Sequence, residues 1–207
     1  QIDGALFCGH DSGTFWIKKN QAKQIFDKQG TWNLKRINDS TILQGCYDGL
    51  YVLEKKNQTW VLKNKIRGFE NSSKDVVLWN NKIFVNHEYK GVFKLDVDAR
   101  YTKINKVEKD VSLEKGVHSS ILKYQNKILY ASKKGVFVYD EINDSFKKDT
   151  VYSSLIDADN FISAKLIHDP VKNRLWSFTK EQIKYLAPGK LSNKPKVNSI
   201  SISEYSK

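Results

Sequence analysis

The sequence lacks several residue types that mark particular protein classes. It has no methionine, three prolines, two cysteines and four arginines in 207 residues. No segment approaches the roughly 18 consecutive apolar residues of a membrane-spanning helix, and the chain does not open with a basic segment followed by an apolar one. We therefore expect no membrane insertion by this segment. The absence of methionine, initiator included, predicts an excised domain or a mature part of a larger protein.

The scarcity of arginine bears on the strong positive charge. The net charge of +12 invites a nucleic-acid interpretation. However, bidentate recognition of phosphates and bases favours arginine over lysine, and the 31 lysines stand singly or in doublets, not in blocks. The pattern indicates a solvated, lysine-rich surface, and we expect no direct nucleic-acid binding.

The cysteines and histidines are too few and too scattered for a metal centre. A structural zinc site needs four ligands with closely spaced pairs. The histidines show no such spacing: His10, His87, His118 and His168. We predict no metal and no other cofactor. One disulfide bond between Cys8 and Cys46 stays open at this stage, although two unpaired cysteines are the favoured interpretation.

What the sequence does contain is a five-fold internal repeat. Each copy has an apolar run, a short polar segment and a second apolar run. The copies begin at Leu6, Ile42, Ile83, Ile128 and Leu175. Four copies share a glycine, at positions 13, 49, 91 and 135, followed two places later by Phe15, Tyr51, Phe93 and Phe137. The fifth copy has Gln182 and Lys184 at these two positions.

Each copy is typical of a β-hairpin in which glycine provides a backbone conformation that other residues avoid. Further strand-like stretches lie before four hairpins, at 32–38, 75–79, 119–124 and 161–168. Others follow all five, at 21–26, 59–62, 100–107, 145–148 and 196–203. Four strands in a repeat of this length match one propeller blade, whereas no segment sustains helical periodicity.

The predicted fold is therefore an all-β β-propeller of about five four-stranded blades with negligible helix. The blades correspond to approximately 1–31, 32–73, 74–117, 118–160 and 161–207. The recurring aromatic position is interpreted as packing between blades, because residues at one repeat position share one structural role. The five tryptophans share no repeat position, so none is assigned to a ligand.

Two segments carry a resemblance to a known repeat: Gly49 to Leu53, preceded by Gly45 and Asp48, and Gly135 to Asp140. They resemble the two-component regulator propeller repeat, which is met in the extracytoplasmic sensor regions of Bacteroidetes-type regulators. The resemblance covers the whole chain as five repeats. It implies that the chain is part of a larger propeller, followed by an immunoglobulin-like domain, a membrane span and a cytoplasmic kinase or helix-turn-helix output.

The resemblance also implies a function. It suggests a non-catalytic, ligand-sensing or interaction propeller of a signal-transduction or transcriptional regulator, on the periplasmic side of a bacterial inner membrane. The implied partners are an extracytoplasmic ligand such as a glycan or peptide, the neighbouring blades and the immunoglobulin-like domain, with a homodimer left open. The alternative is a structural propeller that binds proteins and no small ligand.

The topology predicts where a ligand would bind. In an up-and-down blade, the turn between the second and third strands lies on the same face as the connection to the next blade. These tips combine imidazole, phenol, carboxylate and ammonium groups, which suits a polar or carbohydrate-like ligand, although exposed polar loops also occur without function. The candidate residues are His10, Asp11, Tyr47, Asp48, His87, Glu88, Tyr89, Lys133 and Lys180.

A glycosidase-type propeller is the least favoured alternative. Its acid and base would project from the innermost strands of different blades. The carboxylates near those strands, Asp39, Asp75 and Asp169, give no basis for assigning roles, and no nucleophile elbow or His-Glu-x-x-His motif occurs. We predict no enzymatic activity and no catalytic residue.

The last segment of the chain leaves two arrangements open. Residues 197–203 alternate apolar and polar side chains, and the first repeat lacks an innermost strand. The segment either crosses back to complete the first blade and close the ring, or forms the outer strand of the fifth blade with further blades beyond both ends. The second arrangement is favoured, because closure by a swapped innermost strand is the less usual device.

Overall fold

The structure, a computed structural model, describes Ile2, residues 4–187 and residues 195–202. Within these ranges the strands form five antiparallel sheets that follow one another along the chain. The first sheet contains β1 (Leu6–His10), β2 (Gly13–Lys18) and β3 (Gln21–Phe26). The second contains β4 (Thr31–Asn38), β5 (Thr41–Cys46), β6 (Gly49–Lys56) and β7 (Thr59–Lys65). The third contains β8 (Asp75–Trp79), β9 (Lys82–His87), β10 (Gly91–Val97) and β11 (Ile104–Lys109).

The last two sheets have the same organisation. The fourth contains β12 (Ser120–Tyr124), β13 (Lys127–Ser132), β14 (Gly135–Asp140) and β15 (Ser145–Asp149). A one-turn helix, α1 (Thr150–Ser153), follows, and the Asp149 side chain accepts a hydrogen bond from the backbone N–H of Tyr152 at its start. The fifth contains β16 (Ile167–Asp169), β17 (Arg174–Phe178), β18 (Gln182–Ala187) and β19 (Lys196–Ser201).

In every sheet, neighbours in sequence are neighbours in space. Successive up-and-down sheets of this kind are the blades of a β-propeller, so the predicted fold is confirmed. We number the blades one to five in chain order. Blade one has three strands among the described residues and the others have four, which agrees with the missing innermost strand of the first repeat.

The chain divides into two compact units. The first comprises Gln1–His87 and Val92–Lys109, and the second comprises Glu88–Gly91 and Asp110–Lys207. In the first unit, blades one and two pack through one apolar cluster: Phe7, Trp16, Phe26, Ile42, Tyr51, Leu53 and Trp60. Blades two and three pack through another, centred on Leu43, Val52, Val76 and Val85. In the second unit, blades four and five pack through Leu129, Val136, Leu175 and Leu186.

The recurring glycine has a structural reason in each hairpin. Gly13 and Gly49 have φ values of 130° and 133°, which disfavour any residue with a Cβ. A Cβ on Gly49 would also lie 2.5 Å from the carbonyl oxygen of Phe69 in the connection that follows the blade. The fifth hairpin dispenses with glycine, since the Thr179 hydroxyl accepts a hydrogen bond from the backbone N–H of Gln182 at 2.9 Å.

Burial along the third strand of each blade differs from the simplest expectation. The fully buried position is the one directly after the glycine, occupied by Thr14, Leu50, Val92 and Val136. Of the aromatic residues one place further on, Tyr51 is buried against Phe26 of blade one, at a ring distance of 5.0 Å. Phe15, Phe93 and Phe137 are half-buried. The aromatic residues therefore flank the core more often than they fill it.

Two predicted strands have different bounds. The stretch predicted at 161–168 is strand only over β16, because the side chains of Asp157 and Ser163 accept backbone hydrogen bonds that bend the segment before it. The stretch predicted at 100–107 begins at Ile104 instead. There the Asp98 carboxylate accepts hydrogen bonds from the backbone N–H groups of Thr102 and Lys103 and holds a turn.

The last strand settles the arrangement of its own segment. β19 pairs antiparallel with β18 from Gln182↔Ser201 to Ala187↔Lys196, so it is the outer strand of blade five. This is the strand position of the favoured arrangement, and among the described residues β19 belongs to the fifth sheet and not to blade one. Ser203 lies outside the described residues. Cys8 and Cys46 are both free, the first exposed and the second buried.

Candidate ligand-binding surface

The candidate residues lie at the hairpin tips. His10 ends β1 and Asp11 follows it, while Tyr47 and Asp48 join β5 to β6. The other candidates occupy the tips of blades three to five: His87, Glu88, Tyr89, Lys133 and Lys180. The structure joins two candidates from different blades, since the phenol of Tyr47 donates a hydrogen bond of 2.8 Å to the Asp11 carboxylate. The tips of blades one and two therefore form one surface.

Trp32, which the sequence did not single out, completes this surface. It is the second residue of β4, and its ring centroid lies 5.1 Å from that of Tyr47 with an interplanar angle of 54°. The two side chains are 46% and 42% exposed. The Lys74 ammonium lies 5.6 Å from the Trp32 ring centroid. We call Asp11, Trp32, Tyr47 and Lys74 the tip site.

The backbone beneath the tip site is closely packed. Gly30, with φ of 77°, lies under the Tyr47 ring, and a Cβ there would come within 2.2 Å of a ring carbon. The Gly30 N–H donates to the Asp11 carbonyl at 2.7 Å, and its own carbonyl accepts from the Tyr47 N–H at 3.1 Å. The connection between blades one and two thus holds both tips in place.

A buried polar network supports the same region from below. The Thr14 hydroxyl donates to the Gln44 side-chain oxygen at 2.6 Å and accepts from the Thr31 hydroxyl at 2.9 Å. The Gln44 amide donates to the Cys46 sulfur at 3.2 Å. Thr31 and Cys46 are opposite each other in the β4–β5 pairing and directly precede Trp32 and Tyr47. The network therefore fixes the strand ends that carry the two exposed rings.

The Tyr47 phenol of the tip site and the Cys46 thiol beneath it are both held in their neutral forms. The hydrogen bond to the Asp11 carboxylate raises the pKa of Tyr47, because it stabilises the protonated phenol. Burial raises the pKa of the Cys46 thiol beneath it, so this group is neutral at pH 7. The Asp11 carboxylate is the acceptor that the tip site presents to a ligand hydroxyl or amide.

Two other candidates on these tips have partners that hold the turns. The Asp48 carboxylate accepts hydrogen bonds from the Tyr51 phenol and the Lys65 ammonium, each at 2.8 Å. Burial raises the pKa of Asp48, but these hydrogen bonds and the Lys65 charge outweigh it and lower the pKa overall. The Nδ1 atom of His10 accepts from the backbone N–H of Ser12 at 3.1 Å. Asp48 and His10 thus shape the tips that carry Asp11 and Tyr47.

The remaining candidates lie apart from the tip site in the sequence. Tyr89, at the tip of blade three, is 66% exposed. Lys133 and Lys180 are exposed in the turns of blades four and five, where the Lys180 N–H donates to the Asn160 carbonyl at 3.2 Å. Whether these residues, with His87 and Glu88, contact a ligand stays a prediction.

Two further features concern metal ions and membranes. Over the described ranges, no group of three or more His, Cys, Asp or Glu side chains is arranged to hold a metal ion. The one helix found in this part of the chain is too short to cross a bilayer.

Comparison with known proteins gave matches among solved structures. The extracellular domain of BT4673 from B. thetaiotaomicron, described as a one-component system, superimposes with a TM-score of 0.69 at 16% identity. The match covers 95% of this chain and 26% of that one. The extracellular domain of the hybrid two-component system BT3049 from the same organism gives a TM-score of 0.60 at 17% identity, over 95% and 27% of the two chains.

A third match is the WD40 propeller domain of Doa1, with a TM-score of 0.60 at 12% identity over 96% of this chain and 64% of that one. These comparisons confirm the β-propeller. No family model and no curated protein matches the sequence. The first two structures are extracellular domains of regulators, the class that the repeat motif resembles. This chain spans about a quarter of the length of either.

Proposed function

We propose that this chain is a non-catalytic recognition segment in the extracytoplasmic propeller of a signal-transduction regulator, and that its tip site binds the ligand. The fold and the regulator domains that share it support the general role. The observation that carries the proposal is the exposed Trp32–Tyr47 pair beside Asp11. Exposed aromatic rings that are held by packing and hydrogen bonds are typical of recognition surfaces.

The chemistry of the tip site suits a ligand with both an apolar face and hydroxyl or amide groups. The Trp32 and Tyr47 rings meet at an angle and offer two adjacent surfaces for stacking. The Asp11 carboxylate accepts hydrogen bonds, and the Lys74 ammonium, 5.6 Å from the Trp32 ring centroid, can donate them. A neutral glycan has both kinds of group, and a peptide with an aliphatic side chain is the second candidate.

The carboxylates considered for a glycosidase have structural partners, which supports binding without catalysis. Asp39 forms an ion pair with Arg36 in the β4–β5 turn. Asp169 accepts hydrogen bonds from the backbone N–H groups of Val171 and Lys172. Burial lowers the pKa of the Lys35 ammonium, and the negative charge of Asp75 partly offsets this effect, so Asp75 interacts electrostatically with Lys35. Each carboxylate is accounted for by its local structure.

The test is a thermal-shift titration with neutral oligosaccharides and short peptides. A ligand at a hundred times its Kd stabilises the folded state by about 2.7 kcal/mol, which should raise Tm by roughly 5 °C or more in a domain of this size. Trp32→Ala should abolish the shift, whereas Phe178→Ala, which removes a similarly exposed ring from β17, should preserve it.

Three outcomes would contradict the proposal. A ligand-induced shift that survives Trp32→Ala would place binding elsewhere. Chemical conversion of an oligosaccharide would favour the glycosidase alternative. If none of the oligosaccharides or peptides changed Tm, and a protein bound specifically through this surface, the structural propeller would be favoured.

A further inference from the structure

The contact between blades one and two ends in a cavity on the side away from the tip site. Strands β2 and β6 both begin at the tips, at Gly13 and Gly49, and run to Lys18 and Lys56 at the opposite end. There the two blades line a cavity of about 540 Å³ that is open to solvent. Its lining includes Trp16, Lys18 and Lys19 from blade one and Lys55, Gln58 and Trp60 from blade two.

The alternation of side chains explains why these residues face one another. Trp16 and Lys18 point from the same face of β2, and Trp16 packs in the apolar cluster between the blades. On the facing sheet, Lys55 and Trp60 are directly opposite in the β6–β7 pairing. Trp60 also contacts Phe7 edge to face at 5.6 Å. The cavity therefore has an indole floor that continues the core, with lysines at its rim.

Among the described residues, the charged side chains that line this cavity are all cationic. They are Lys18, Lys19 and Lys55. Glu54, the acidic residue next to Lys55, is paired with Lys56 at 2.6 Å. The Lys18 ammonium lies 5.6 Å from the Trp16 ring centroid, which keeps this cation next to the indole floor.

A second cavity, of about 580 Å³, lies beside the same β2–β3 hairpin. It shares Trp16, Lys18 and Lys19 with the first and adds Lys23, Asn20 and Gln21, so the described side chains that line it include no carboxylate either. The Nε1 atom of Trp16 is buried and has no hydrogen-bond partner among the described residues. An unsatisfied donor of this kind is costly.

We infer that this basic cleft, formed by the two cavities around Trp16, binds a sulfate or phosphate ester carried on a ring compound. Ammonium groups on flexible stems suit an oxyanion as point charges, and the indole rings provide a surface on which the ligand ring stacks. The tip site differs in charge, since it contains both the Lys74 ammonium and the Asp11 carboxylate, whereas the charged residues described in the cleft are all lysines. The cleft is therefore a second site, and its occupancy does not depend on the function proposed above.

The experiment follows the five tryptophan indole N–H signals by two-dimensional NMR during titration, with Trp16→Phe to assign one of them. The probes are glucose 6-phosphate and glucose 6-sulfate, with glucose as the neutral control and inorganic phosphate and sulfate as ring-free controls. We expect both esters to shift the Trp16 signal in a saturable manner. Glucose should leave it unchanged, and the inorganic ions should bind at least tenfold more weakly.

Two double variants of equal charge locate the site. Lys19→Gln with Lys55→Gln should weaken ester binding at least tenfold, whereas Lys165→Gln with Lys172→Gln should change it less than twofold. All four lysines are exposed, so both variants should keep the far-ultraviolet circular dichroism and Tm of the parent. If both double variants weakened ester binding equally, the esters would be attracted only by the net charge of the protein, and the proposed site would be wrong.

Other results would also overturn the inference. An unshifted Trp16 signal at 10 mM ester excludes the cleft, and inorganic ions that bind as tightly as the esters exclude the contribution of the ring. Binding to phosphatidylcholine vesicles that contain 30% phosphatidylglycerol, without binding to either soluble ester, would identify a membrane surface as the source of the phosphate instead.

Discussion

At the scale of single residues, Tyr47 shows how an exposed side chain becomes a fixed one. Its phenol is held by Asp11, its ring lies on Gly30 and beside Trp32, and its backbone N–H donates to the Gly30 carbonyl. An exposed tyrosine normally samples several rotamers, and each of these contacts removes some of that freedom. A ligand that meets an ordered ring loses less entropy on binding.

The dependence of Tyr47 on Gly30 can be tested by adding one methyl group. Gly30→Ala should destabilise the fold and displace the ring, because its Cβ would overlap the Tyr47 ring at a φ of 77°. Gly4→Ala is the matched control, since Gly4 has a φ of 75° and a Cβ added there would meet nothing within 4 Å.

Strain from positive φ should cost about 1 kcal/mol in both variants, and the clash should add about 1–3 kcal/mol to Gly30→Ala alone. Urea unfolding measures the difference, and equal losses for the two variants would show that the Tyr47 ring moves aside freely.

Asp98 provides a prediction of pH dependence. The Lys103 N–H, with the hydroxyl and N–H of Thr102, lowers the pKa of this exposed carboxyl to about 2. Because the folded-state pKa is below the ordinary value near 3.9, its contribution to stability is complete above pH 4 and is lost as the pH falls towards 2.

Asp98→Asn should therefore lower Tm at pH 7, and the gap from the parent should narrow between pH 4 and pH 2. Asp39→Asn, in another exposed turn, is the comparison variant. A gap that stays constant down to pH 2 would show that the carboxylate charge does not hold the turn.

At the scale of elements, the third strand of a blade best shows how the order of residues determines which side chains are buried. In blades one to four its glycine sets the turn, the next residue enters the core, and the following aromatic lies at the edge of that core. Tyr51 is the exception, because Phe26 from the preceding blade covers it. The sequence could therefore predict the hairpins, but it placed the aromatic residue in the core, whereas the residue before it is the buried one. Periodicity identifies a face of a strand, whereas the depth of each residue depends on the neighbouring blade.

Two valines on β14 test this order of burial with the same chemical change. Val136 is fully buried against blade five, and Val138 is half-buried on the same face of the strand. Val136→Ala should lower the free energy of unfolding by about 2–3 kcal/mol and Val138→Ala by about half as much. Guanidinium unfolding of the two variants decides the matter. A larger loss for Val138→Ala would reverse the assignment of the core position.

At the scale of the whole molecule, the sequence predicts the architecture well because the fold repeats. The same hairpin pattern occurs five times in the sequence. A copy that departs from the pattern, such as the fifth, can therefore be recognised by comparison with the other four. The tip site has no such support. Trp32 and Tyr47 meet across an inner strand and a hairpin, and the supporting hydrogen bonds among Thr14, Thr31 and Gln44 join two blades. Neither feature recurs in the repeat, so no internal comparison could indicate it.

The two sites proposed for this chain lie at opposite ends of one contact between blades. The apolar cluster that includes Phe7, Ile42, Tyr51 and Trp60 separates the tip site from the basic cleft. Packed side chains couple two sites where they have two discrete arrangements, and the structure describes one arrangement of this cluster. We therefore expect the two sites to bind independently, and the variants Trp32→Ala and Lys19→Gln with Lys55→Gln assign a bound ligand to one site or the other.

Repeat architecture also predicts how far damage to one blade spreads. In a repeat protein each unit is stabilised mainly by its immediate neighbours, so the loss of one contact is felt locally. Leu43→Ala removes a buried side chain from the cluster between blades two and three. Hydrogen exchange followed by mass spectrometry should show at least tenfold faster exchange in peptides from those two blades.

Peptides from β17 and β18 of blade five should change less than twofold in the same variant. The reciprocal variant, Leu175→Ala, sits in the cluster between blades four and five and should reverse the pattern. If hydrogen exchange became faster to the same extent in peptides from all blades in both variants, the chain would unfold as one cooperative body. In that case the packing between blades would contribute to global stability and not to separate local stabilities, and a ligand at the tip site would protect every blade equally.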